Sequence, residues 1–90
     1  MDIGDWQRLH ERLDTAHRGY LSIQFGVRDL WVMQRAVYEL LREADREWVN
    51  CRRKGTGSHR FDQLLAQAEE CLRNFEGHLL LAKLSHKEHR

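Results

Sequence analysis

Residues 6–51 read WQRLHERLDTAHRGYLSIQFGVRDLWVMQRAVYELLREADREWVNC, and apolar residues recur along them in alternating steps of three and four. Because an α-helix turns once every 3.6 residues, this spacing gathers the recurring side chains into one stripe. The stripe, which we call the seam, predicts helices that pack against other helices. Its one plainly polar member, Gln34, is interpreted as a determinant of register or oligomeric state. The seam comprises Trp6, Leu9, Leu13, Ala16, Tyr20, Ile23, Val27, Leu30, Gln34, Val37, Leu41, Ala44, Trp48 and Cys51.

Two opposing signals near residue 20 decide whether the seam is one helix or two. His17, Arg18 and Gly19 have the order of a helix C-terminus, with basic side chains before a left-handed glycine cap, and Ser22 could cap the next helix. The unbroken phase through Gly19 and Gly26 favours a continuous helix, but helices of more than about forty residues are rare in small domains. We predict a break or sharp kink between Gly19 and Ser22. Gly19→Ala is therefore expected to destabilise the protein and Gly26→Ala is not.

The remainder of the chain predicts a helical hairpin. A helix from about 23 to 53 would end at Gly55, and a helix from about 59 to 84 would follow Ser58, because glycine ends helices and serine caps them. A short loop makes two such helices antiparallel neighbours. The first carries a charged outer face that includes Glu39, Arg42, Glu43, Arg46 and Glu47. The second repeats the apolar spacing at Phe61, Leu65, Ala68, Leu72, Phe75, Leu79 and Ala82.

An N-terminal helix, about residues 5–18, has no partner within this hairpin. Asp2 or Asp5 can cap it, because a short carboxylate accepts hydrogen bonds from the free N–H groups of a helix start. The helix must fold back on the hairpin or pack against another chain. The prediction is a single all-α domain over residues 1–90, either a three-helix bundle or a coiled-coil-like dimer, with a polar tail at about 85–90 that frays.

Composition restricts the class of protein. Fifteen lysines and arginines against fourteen acidic residues give a formal charge of +1, which provides no global attraction to nucleic acid or to a membrane. Proline is absent, which favours long helices. The N-terminal residues lack the pattern of a signal peptide, no apolar run is long enough to span a bilayer, and two cysteines fit a reducing compartment. We therefore expect a cytoplasmic protein.

An excess of apolar residues predicts a protein-binding surface. The apolar runs Leu30–Met33 and Leu79–Ala82 would lie side by side at the end of the hairpin remote from its loop. A helix pair needs only a narrow apolar stripe, so a third helix or a second subunit is expected to cover the excess. We predict a homodimer and a further, unidentified protein partner. The predicted contact residues are Trp31, Val32, Tyr38 and Leu80.

An alternative function depends on the basic residues around the turn at residues 55–58. These residues surround a helix N-terminus, where free N–H groups favour phosphate. The alternative prediction is binding of nucleic acid or a phosphorylated ligand, although ordinary helix capping accounts for the same residues. The turn lacks the Gly-Lys-Ser/Thr ending of a phosphate-binding P-loop. The residues concerned are Arg52, Arg53, Lys54 and Arg60.

No residue pattern predicts catalysis, a cofactor or a metal site. Cys51 and Cys71 would be offset by about 15 Å along the hairpin, too far apart to share a zinc ion. Ser58 and His59 have no acidic partner that would complete a catalytic triad. The six histidines are interpreted as surface residues. We therefore expect a non-enzymatic protein.

Overall fold

The computed structural model describes residues 2–22, 28–55 and 59–88, with side chains given as far as residue 84. These residues form three helices, α1 (Ile3–Leu21), α2 (Arg28–Lys54) and α3 (His59–Glu88). Each helix packs against the other two, and the described ranges contain no strand. The predicted all-α fold is confirmed, in the form of a small three-helix bundle.

The start of α1 is determined by two aspartates. Asp2 Oδ1 accepts a hydrogen bond from the backbone N–H of Asp5 at 3.2 Å, and Asp5 Oδ2 accepts one from the backbone N–H of Asp2 at 2.8 Å. This reciprocal pair satisfies two N–H groups that a helix start leaves without partners, so Asp2 is the cap. The hydrogen bond from the Asp2 backbone also holds the pKa of Asp5 below its ordinary value.

The end of α1 differs from the prediction at Gly19. The chain leaves the helix within the predicted window, after Leu21, but Gly19 is helical, and Gly55 is the only residue with a positive φ in the described part of the chain. Ser22 takes the terminal position, because its N–H donates to the carbonyl of Arg18 at 3.2 Å and its Oγ donates to that of Gly19 at 2.7 Å. The predictions of a left-handed cap at Gly19 and of Ser22 as the cap of the next helix were therefore wrong. Residues 23–27, with Gly26, lie outside the described residues.

Helices α2 and α3 form the predicted antiparallel hairpin. Gly55 ends α2 with a φ of 71°, the left-handed conformation that glycine adopts without steric cost. The rings of Trp48 and Phe61 lie 5.1 Å apart, so the end of α2 packs beside the start of α3. Residues 56–58 lie outside the described residues.

The core consists largely of the two predicted apolar stripes. The six largest of the fully buried side chains each contribute about 1.5–3 kcal/mol when they are removed from water. These are Leu13, Val37, Leu41, Leu65, Leu72 and Phe75. Seam residues Trp6, Tyr20 and Trp48 are half-buried and pack against this core.

Helix α1 folds back onto the hairpin. Trp6 Nε1 donates to the carbonyl oxygen of Leu41 at 2.7 Å, while His17, near the other end of α1, contacts Gln34 at 2.8 Å. Residues later in α1 therefore lie beside residues earlier in α2, so the two helices are antiparallel. Because α3 is also antiparallel to α2, α1 and α3 run in the same direction.

The consequence of this topology is that three helix ends meet. The last turn of α1, the first turn of α2 and the last turns of α3 lie at one end of the bundle, which we call the distal end. At the opposite end, α2 and α3 continue past the start of α1, which lies level with Leu41. The molecule is a rod of 56 × 17 × 16 Å.

Candidate protein-binding end of the bundle

The distal end exposes most of the large apolar side chains that the core does not use. Leu30 and Leu79 are buried, but their sequence neighbours point elsewhere because successive helical residues diverge by about 100°. Seven large apolar side chains are exposed among the described residues. Six of them lie at the distal end, and the seventh, Val49, lies toward the opposite end. The six at the distal end are Leu21, Trp31, Val32, Leu80, Leu81 and Leu84.

A groove of about 700 Å³ runs between α1 and α3 toward the distal end. Its apolar part is formed by Ala16, Gly19, Leu79 and Leu80. Gly19 has no side chain, and the Nζ of Lys83 lies 2.8 Å from the point that a β-carbon on Gly19 would occupy. Charged residues also line the groove, namely Arg8, Glu11, Arg12, Glu76 and Lys83.

An ion-pair network joins the two walls of this groove. Arg12 on α1 donates to Glu76 Oε1 at 2.7 Å and lies 3.9 Å from Glu69. These groups are partly exposed, so the pairs contribute little to stability but hold the charged rim in place. An apolar floor with a charged rim suits one side of an amphipathic helix.

Three of the four predicted contact residues lie exposed at the distal end. They are Trp31, Val32 and Leu80, although only Leu80 lines the groove between α1 and α3. The Trp31 ring is 46% exposed and carries the guanidinium of Arg35 at 5.3 Å from its centroid, a cation–π contact. Arg35 also donates to Glu39 at 3.2 Å.

Tyr38, the fourth predicted contact residue, is half-buried in the contact between α1 and α2. Its hydroxyl donates to Asp14 Oδ1 at 3.1 Å, and its ring meets those of His10 and His17 edge-on. Burial raises the pKa of Tyr38, and the hydrogen bond to Asp14 acts in the same direction. The Tyr38 hydroxyl therefore contributes to the packing of α1 against α2.

Three exposed leucines were not among the predicted contact residues, and two polar contacts were not predicted. Leu21 and Leu84 were overlooked, although an apolar side chain far from the seam is itself a signal of exposure, and Leu81 lies in the predicted apolar run Leu79–Ala82 but was not named as a contact residue. His10 and His17 are half-buried, and both make polar contacts: His10 Nδ1 lies 3.2 Å from Asp14, and His17 Nδ1 lies 2.8 Å from Gln34 Oε1. Gln34, only 7% exposed, thus has its partner on α1.

The basic residues of the predicted anion site point in different directions. Arg52, Arg53 and Lys54 are all exposed, but they are consecutive in the last turn of α2 and so diverge by about 100° each. Arg60 is turned toward Glu43, at 3.9 Å. These four cations do not converge on one point in the described part of the chain.

Neither metal ligands nor membrane-spanning helices are found in the described ranges. No three His, Cys, Asp or Glu side chains there are grouped so that they could hold a metal ion. No helix there is long and apolar enough to cross a bilayer. Comparison with protein-family models, curated proteins and solved structures gives no match.

Proposed function

We propose that this chain is a non-enzymatic protein-binding module that self-associates and binds a further protein through its distal end. The observation that supports this function is the concentration of exposed apolar side chains there, six of the seven in the described residues. Isolated apolar side chains are ordinary on a protein surface, but a cluster at one end is typical of an interaction site. Burying one such leucine in a partner would contribute about 1.5–3 kcal/mol.

The neighbouring groove supports the same proposal. Its apolar part adjoins the distal end through Leu80, and its charged rim can select the orientation of a partner helix. Small residues at Ala16 and Gly19 allow such a helix to approach the bundle closely.

Self-association is tested by sedimentation velocity across micromolar concentrations. Leu81→Glu places a carboxylate on a side chain that is 63% exposed, so it leaves the core intact while charging the distal end. Val49→Glu is the matched control, because Val49 is also exposed but lies away from that end. We expect the wild type and Val49→Glu to dimerise and Leu81→Glu to remain monomeric.

Binding of another protein is tested by using the same three chains as baits in a cell extract. Partners of the distal end are those retained by the wild type and by Val49→Glu but lost with Leu81→Glu. A wild type that is monomeric at every concentration, and that captures the same proteins as Leu81→Glu, would contradict the proposed function.

A further inference from the structure

The outward face of α2 carries five exposed arginines in two rows. Arg28, Arg35 and Arg42 are seven residues apart, and so are Arg46 and Arg53. Seven residues make almost two helical turns, so each row runs along the helix, and the spacing of four from Arg42 to Arg46 makes the rows neighbours. We call this surface the arginine ridge. It extends about 37 Å at a rise of 1.5 Å per residue.

The ridge is strongly positive, although the rest of the chain carries a net negative charge. With Glu39 included, its formal charge is +4, whereas the whole chain carries +1, so the other residues together carry −3. Arg35 pairs with Glu39 at 3.2 Å, and no other arginine of the ridge has an ion pair within the described residues. Two further acids of α2 are turned aside: Glu43 faces Arg60, and Glu47 accepts a hydrogen bond from Cys51 Sγ at 3.6 Å.

We propose that the arginine ridge binds the phosphate backbone of duplex nucleic acid. The guanidinium group offers a planar fork that matches phosphate oxygens, and all five cations of the ridge are arginine rather than lysine. A straight helix of about 37 Å can lie along a duplex, which presents one negative charge per 1.7 Å of its axis. Phosphate contacts carry no sequence information, so this binding does not depend on base sequence.

The composition of the ridge distinguishes nucleic acid from an acidic protein. Between Arg35 and Arg46, the outward face of α2 carries two residues, Glu39 and Arg42, and both are charged. Protein–protein interfaces are depleted of charge at their centres, whereas interfaces with nucleic acid are polar and strongly positive. Proteins that bind single strands stack bases on aromatic rings, but the one aromatic ring beside the ridge in the described part of the chain, Trp31, already lies under Arg35.

Fluorescence anisotropy with a labelled DNA duplex of about two helical turns tests the proposal. Each neutralised phosphate contributes about −0.9 to the slope of log affinity against log salt, so four to five contacts predict a slope of about −4. The expected loss of affinity from about 50 to about 200 mM salt is roughly 250-fold.

Paired substitutions locate the contact. Arg42→Gln with Arg46→Gln is expected to reduce the magnitude of the slope by about two, because two phosphate contacts are lost. Arg18→Gln with Arg73→Gln removes the same charge from exposed positions on α1 and α3 and is expected to leave the slope unchanged. Glutamine is a good helix former, so both double variants should retain the helical circular dichroism of the wild type.

Four results would overturn the proposal. The first is no binding of the duplex at about 50 mM salt, where phosphate contacts are strong. The second is an equal change of slope in both double variants, which would indicate net charge alone. The third is tighter binding of a single strand or of an acidic helical peptide than of the duplex. The fourth is a loss of slope only in Arg52→Gln with Lys54→Gln, which would place the contact at the end of α2.

Discussion

At the scale of single residues, Gly19 and Gly77 are both helical but have different surroundings. A β-carbon on Gly19 would lie 3.4 Å from Leu79 Cδ2 and 2.8 Å from Lys83 Nζ, whereas one on Gly77 would meet nothing within 4 Å. The Lys83 ammonium is the end of a flexible side chain in an open groove, so it can move at little cost. Alanine is favoured over glycine inside a helix by about 1 kcal/mol. We therefore expect Gly19→Ala and Gly77→Ala each to raise the free energy of unfolding by up to about 1 kcal/mol.

This prediction reverses the sign expected from the sequence for Gly19, because that expectation assumed a left-handed cap. Thermal unfolding measures it, since about 1 kcal/mol corresponds to about 4–8 °C in a domain of this size. Gly55→Ala is the control of opposite sign: its φ of 71° disfavours a β-carbon, and we expect a loss of about 1 kcal/mol. If Gly19→Ala lowers the melting temperature while Gly77→Ala raises it, then Lys83 and Leu79 cannot move aside to make room for the new β-carbon.

At the scale of elements, the docking of α1 on α2 combines apolar burial with polar contacts. Tyr38→Phe removes the hydrogen bond to Asp14 and keeps the ring, so we expect a loss of about 0.5–1.5 kcal/mol in urea unfolding. Tyr20→Phe is the matched control, because the Tyr20 hydroxyl has no hydrogen-bond partner in the described part of the chain. The loss is expected to be smaller in the control.

The stability difference between the wild type and Tyr38→Phe is also expected to depend on pH. Burial and the bond to Asp14 raise the pKa of Tyr38 above its ordinary value of 10.0, so the fold favours the neutral phenol. Its contribution to stability is fully present below pH 10.0 and is lost as the pH rises through the pKa of the folded state. The difference in unfolding free energy between wild type and Tyr38→Phe should therefore shrink above pH 10.0. A constant difference across that range would show that Tyr38 does not titrate with a raised pKa.

At the scale of the whole molecule, the rod shape makes the mode of association measurable. The Cα radius of gyration is 15.2 Å, and the long axis is 56 Å. Association through distal ends lengthens the rod with little change in its cross-section, whereas association through the sides of α2 or α3 thickens it. We expect small-angle X-ray scattering at rising concentration to show a maximum dimension well beyond 56 Å, and Leu81→Glu to abolish that increase. Growth of the cross-sectional radius instead would contradict end-to-end association.

The sequence by itself determined the three helices, the helix ends at Asp2 and Gly55, and most of the core. The seam, the cap at Asp2 and the glycine end at Gly55 are local or periodic features, because a helix has a fixed repeat and its ends need specific hydrogen-bond partners nearby. The predicted limits of about 5–18, 23–53 and 59–84 compare with Ile3–Leu21, Arg28–Lys54 and His59–Glu88. Such features are encoded within a few residues of where they act.

Only the tertiary structure decided where each side chain finds its partner. The sequence left open whether α1 folds back or extends, because the seam presents the same apolar face in either case. Folding back pairs Gln34 with His17 and turns Tyr38 toward Asp14. Glu43, which the sequence placed among the arginines of α2, is turned toward Arg60 on α3, and this leaves the ridge strongly positive. Each of these contacts joins residues on different helices, so their direction depends on packing rather than on local sequence.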